Sequence, residues 1–160
     1  MFSRLNKLFS KKASNNIQSR ELDTYFRIEL NKCSFIPRGR FELVLCHLRD
    51  QSKLDHARIE SEFNVDESGS REIFAAIRHI YNKATCDKAW DDNYIKMYMS
   101  GVVKEATLRK AGSHKHCDYC LASFDKKTPI TVATFNAFHK NCSCRPYKCS
   151  FFDPLISFDE

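Results

Sequence analysis

The stretch "CDYCLASFDKKTPITVATFNAFHKNCSC", residues 117–144, holds four of the chain's eight cysteines, and its reading decides how the C-terminal third folds. Zinc takes four soft or borderline ligands in a tetrahedron, and C-x2-C delivers two sulfurs from one tight turn. Cys117 and Cys120 have that spacing, and His139 with Cys142 forms an H-x2-C pair of the same local reach. The pattern predicts a zinc site made by Cys117, Cys120, His139 and Cys142. Cys144 and Cys149 stand as alternates, because a thiolate can displace His139 or Cys142. His114 and His116 read as neighbours of the site rather than ligands.

An even number of cysteines also admits a disulfide framework in an oxidising compartment. Against it, no secretory signal opens the chain, and Cys33, Cys46 and Cys86 are scattered among apolar residues, as buried free thiols are. The expected setting is therefore cytoplasmic. A zinc bound here is expected to be structural, since ligands in excess leave no open position for water. The H-x-E and P-C-x-x-C pair of zinc deaminases is missing, as is a glycine-rich phosphate loop. Cys46 with His47 and Cys144 with His139 are the remaining nucleophile pairs, but neighbours in sequence rarely form one, and no catalytic residue is assigned.

Between the two groups of ligands, "TPITVATFNAF" (128–138) clusters β-branched and aromatic residues and predicts a strand or hairpin. Everything before Gly112 reads as helical. Leu22, Tyr25, Phe26 and Leu30 share a helical face, and Pro37 and Gly39 end that segment. "FELVLCHL" (41–48) fits strand or helix, but continues polar and helical into "RDQSKLDHARIESEF" and is taken as helix. "DESGS" (66–70) reads as a turn, with Ser68 or Ser70 capping a helix that carries Ile73, Phe74, Ile77, Ile80 and Tyr81. A last helix is expected from near Asp87 to Gly112, burying some of Trp90, Tyr94, Met97, Val102 and Leu108.

The net charge of +6 is unevenly placed. Residues 1–20 contain Arg4, Lys7, Lys11, Lys12 and Arg20 and no acid, whereas residues 21–112 balance fifteen basic against fifteen acidic side chains. A uniformly basic nucleic-acid-binding face is therefore not expected. Phe2, Leu5, Leu8 and Phe9 make "MFSRLNKLFSKK" a basic amphipathic segment suited to packing on the domain, docking on a partner or lying on an anionic membrane, and too short to span one.

These readings give an α+β chain: a basic amphipathic segment and linker over residues 1–18, a helical domain over 19–112, and a zinc-binding Cys/His module over 113–160 built on a treble-clef-like hairpin.

The string "EATLRKAGSHKHCDYCLASFDKKTPITVATFNAFHKNCSC" (105–144) resembles the C-terminal part of phage head morphogenesis proteins of the Mu F type. In that family a C-x2-C is followed by a small variable hairpin and an H-x-N-C-x-C ending, matched here by Cys117, Cys120, His139, Asn141, Cys142 and Cys144. The resemblance implies a minor capsid or portal-associated component that contacts protein and packaged DNA, with a virion-associated location.

The function expected is that of a non-enzymatic, zinc-stabilised interaction protein whose partner is a protein of phage assembly or a host factor. One alternative is a nucleic-acid binder using Arg4, Lys7, Lys11, Lys12, Lys140, Arg145 and Lys148, with Tyr119, Phe124, Phe135, Phe138 and Tyr147 as stacking groups or, more simply, as a small core. A zinc-stabilised nuclease and a membrane-surface protein anchored by residues 1–12 complete the set. The nuclease lacks paired metal-binding carboxylates beside a general base.

Overall fold

Apolar residues at helical spacing set the first elements of the computed structural model, which describes residues 20–111, 115–144 and 150–156. In α1 (Leu22–Lys32), Tyr25, Phe26 and Leu30 are buried on one face. The helix α2 (Phe41–Arg49) buries Val44, Leu45 and Leu48, so "FELVLCHL" is helical as expected. It does not run on into the polar segment that follows. Asp50 accepts from the Ser52 amide to close a 3-10 turn over Gln51–Lys53, and Asp55 then caps α3 (His56–Phe63) through the Arg58 amide at 2.8 Å. Asn64, at φ 54°, ends α3 in the left-handed region.

One helix of 34 residues, α4 (Glu67–Ser100), stands where two were expected. "DESGS" supplies its first turn: the Asp66 carboxylate accepts from the Gly69 amide at 2.8 Å, so Asp66 is the cap, not Ser68 or Ser70. Ser70 is instead wholly buried, its hydroxyl bonded to Glu60 and to the Glu67 carbonyl. No glycine or proline interrupts residues 71–100, and Ile73, Ile77, Ile80, Ala84, Trp90, Tyr94 and Met97 are all buried. Gly101 ends the helix at φ 66°, while the Ser100 hydroxyl accepts from the Val102 amide.

Two expectations are overturned beyond that point. Residues 105–110, read as helix, form the strand β1 (Glu105–Lys110), with Ala106, Thr107 and Leu108 buried, while Val102 is exposed. Residues 128–138, read as a strand or hairpin, are mostly helical. After α5 (Asp118–Ser123) comes only a short β2 (Lys127–Pro129), then α6 (Val132–Asn141) and β3 (Ser150–Leu155). The Thr131 hydroxyl caps α6 through the Thr134 amide at 3.1 Å, and burial of Phe138 with Phe135 outweighs the strand propensity of Thr and Val. The sheet has the order β2-β1-β3, antiparallel throughout, and Pro154 lies on the edge strand β3 where a missing amide is tolerated.

The chain divides into two compact units, residues 20–89 and the described residues from Trp90 onward, with α4 contributing to both. The sequence puts this boundary near residue 112. The first unit is helical, with a core of Phe26, Leu30, Val44, Leu45, Ile59 and Ile77. The second is an α+β unit whose core gathers Trp90, Tyr94, Leu108, Phe138 and Phe152 with two cysteines, Cys120 and Cys144. Among the described residues no helix is long and apolar enough to cross a membrane.

Candidate metal centre

The sulfurs of Cys117, Cys120, Cys142 and Cys144 all lie within 4.8 Å of one another. Local chain geometry explains two of the positions. Cys117 immediately precedes α5 in extended conformation and Cys120 occupies the first turn, with the Leu121 amide bonded to the Cys117 carbonyl, so both side chains converge at one helix start. The other two follow α6: the Cys142 amide closes the helix on the Phe138 carbonyl at 2.9 Å, and the chain then leaves in extended form.

The second half of α4 fixes α6 at both ends. The Tyr94 hydroxyl, wholly buried, donates to the Thr131 carbonyl at 2.8 Å and accepts from the Thr131 amide at 3.0 Å. Three residues earlier in α4, the buried Asp91 carboxylate meets His139 Nε2 at 2.9 Å. Around this frame Trp90, Phe138 and Phe152 pack with ring centroids 5.1 to 5.6 Å apart, and Tyr119 meets Phe138 edge-on at 5.0 Å. Tyr119, Phe124 and Phe135 thus belong to the core around the cluster, the simpler of the two roles expected for them.

Within the cluster, Cys120 Sγ lies 3.5 Å from Cys142 Sγ, and Cys144 Sγ lies 3.6 Å from Cys117 Sγ. Two backbone amides aim at sulfur, Ser143 N–H at Cys117 and Cys117 N–H at Cys144. Donation from the Cys120 thiol draws Cys142 down to about 5, with the Cys144 amide assisting against burial. Burial opposes ionisation of Cys117, yet the amides of Cys120 and Ser143 hold it below the ordinary thiol value. Its bond to Cys142, followed by burial, pushes Cys120 up, and burial pushes Cys144 up to about 11. Four thiols in this space therefore cannot all ionise unaided, but a cation among them removes the conflict.

Three of the four expected ligands, Cys117, Cys120 and Cys142, are in the cluster, and the alternate Cys144 is the fourth. His139 is not: it pairs with Asp91, packs against Phe135 at 4.5 Å and is half-exposed. The other alternate, Cys149, lies outside the described residues, as do His114, Arg4, Lys7, Lys11, Lys12, Arg145 and Lys148. Lys140 is exposed in the last turn of α6, and His116 packs on Phe124. Cys33 and Cys86 are half-buried and Cys46 is exposed, which corrects the expectation that all three are buried: Cys46 lies on α2 away from Val44, Leu45 and Leu48. No described cysteine is in a disulfide. Asp91 was not anticipated, and Tyr94 was expected only as a buried helix residue; an acid inside an apolar stripe, next to Trp90, was the available signal for Asp91. Compared with protein-family models, curated proteins and solved structures, the chain matches none.

Proposed function

We propose that the four-cysteine cluster binds a structural Zn2+ and that the protein is a zinc-stabilised interaction module with no catalytic role of its own. The observation that carries this reading is the mutual approach of four sulfurs. A Zn–S bond of about 2.3 Å gives a tetrahedron with edges of about 3.8 Å, close to the 3.5 and 3.6 Å separations of the Cys120–Cys142 and Cys117–Cys144 sulfurs. The amides directed at Cys117 and Cys144 stabilise thiolate charge, as ligands of a dication require. Four protein ligands leave no position for a water nucleophile, which favours a structural ion over a hydrolytic one.

The partner we propose is a protein. The resemblance of residues 105–144 to Mu F-type head proteins extends the proposal to phage assembly, and its C-x2-C and C-x-C positions are the ones that hold the four clustered sulfurs. Cobalt(II) substitution tests the site. Tetrahedral thiolate ligation predicts strong visible d–d absorption and sulfur-to-metal charge transfer at one equivalent of Co2+, abolished by any one Cys→Ser change at Cys117, Cys120, Cys142 or Cys144. Weak absorption typical of six-coordinate cobalt, or none, would overturn the ligand set.

A further inference from the structure

The segment between α1 and α2 is the most exposed apolar feature of the helical unit. Phe35 is 49% exposed, whereas Ile36 beside it is anchored in the core at 3%. A cavity of about 210 Å3 opens next to them, walled by Phe35, Ile36, Pro37, Phe63, Val65 and Ile73. Arg40 is its one charged wall residue. A second hollow of about 370 Å3 lies across Ile36 and Pro37, and Arg38 lines it.

Arg38 and Arg40, like Arg20 and Arg78 among the described residues, have no carboxylate partner, but only these two stand beside the recess. Arg27, Arg49, Arg58, Arg71 and Arg109 each pair with a carboxylate, whereas Arg38 and Arg40 are both exposed. The acids that flank the segment in sequence are already engaged: Glu42 accepts from Arg27 at 3.0 Å, and Glu29 from Lys32 at 2.6 Å. The 3-10 turn Arg38–Arg40 therefore presents two uncompensated guanidinium groups beside an apolar recess.

We propose that this segment, residues 33–40, is the docking site for an acidic amphipathic peptide of a protein partner. The recess takes an apolar side chain and the arginines take carboxylates, for which the guanidinium fork is well shaped. The recess of about 210 Å3 suits an anchoring apolar side chain. A nucleic acid would satisfy the arginines but offers the recess only a thymine methyl or a base edge, a poorer fit than a Leu or Phe side chain. The inference adds a partner class to the interaction-module reading and does not depend on the metal, because residues of the helical unit alone build the site.

The test is selection from a random peptide library on the full-length protein, followed by anisotropy titration of an enriched peptide and of a labelled DNA oligonucleotide. Enrichment of sequences mixing Leu or Phe with Asp or Glu is expected. Arg38→Glu with Arg40→Glu should weaken the selected peptide about tenfold or more, Phe35→Ala should also weaken it, and added salt should act in the same direction. All three side chains are exposed, so circular dichroism should be unchanged. Enrichment of basic or neutral peptides, no enrichment, affinity indifferent to these substitutions, or DNA binding that alone depends on the two arginines would overturn the proposal. Metal content is read separately, so a failure here is distinguishable from failure of the zinc reading.

Discussion

Nε2 of His139 lies 2.9 Å from Oδ1 of Asp91, a carboxylate buried in α4 and 48 residues away in sequence. The pair ties the last full turn of α6 to α4, and Cys142 and Cys144 follow directly from that turn. His139 supports the cluster without joining it. We predict that His139→Ala destabilises the protein by about 1.5–3 kcal/mol, the usual range for losing a hydrogen bond to a charged group, while zinc stoichiometry is unchanged. Metal analysis alongside urea denaturation checks this, and loss of the metal would return His139 to the ligand set.

Cys144 completes the cluster at 3.6 Å from Cys117. Cys144→Ser should therefore remove the metal as fully as Cys117→Ser, while Cys33→Ala, Cys46→Ala and Cys86→Ala should retain it. Limited proteolysis of the metal-free variants should cut the second unit, with cleavage sites in residues 115–144 read by mass spectrometry. Equal protease resistance with and without the metal would argue against a structural role.

Gly101 ends α4 at φ 66°, and a Cβ built there meets nothing within 4 Å. The effect of Gly101→Ala is thus a backbone effect alone, and we expect a loss of about 1–2 kcal/mol. Gly39 is equally open but carries no positive φ, so Gly39→Ala should be near neutral. Thermal denaturation of both variants makes the comparison, and equal effects would contradict the assigned conformation.

Carboxylates in the helical unit should make it acid-sensitive. The Arg49 guanidinium, with Arg27 assisting against burial, holds Asp23 below its ordinary value, and Arg58, with His47 assisting against burial, does the same for Glu62. Ser52 and Lys53 hold Asp50 at about 2. A depressed folded-state pKa stabilises above the unfolded value, and that contribution disappears as pH falls through the folded one. Urea midpoints should therefore drop between about pH 5 and pH 2, less steeply in Asp23→Asn. A flat profile in the wild type would show that these pairs contribute nothing.

Helical periodicity was a sound guide where one face is buried, as Tyr25, Phe26 and Leu30 or Ile73, Ile77 and Ile80 demonstrate. It failed where composition and tertiary context disagree. Val132, Thr134 and Phe135 favour strand locally, but the Thr131 cap and the Tyr94 hydroxyl start a helix there, and Tyr94 is 37 residues distant. Gly101 lies inside the helix expected to end at Gly112, yet it is where the helix stops. Residues 105–110 are extended because β2 and β3 pair with them on either side, a non-local fact. At the site, C-x2-C was legible because its two sulfurs come from one turn. The choice between His139 and Cys144 was not, because it depends on where Asp91 lies in the fold.

The most direct measurement is metal content of the purified full-length protein by inductively coupled plasma mass spectrometry, with free thiols titrated on the same sample before and after chelation. Near one zinc per chain, with four thiols becoming reactive only when the metal is removed, is the predicted result. Absence of metal with those thiols freely reactive, or already oxidised, would contradict the zinc-stabilised account.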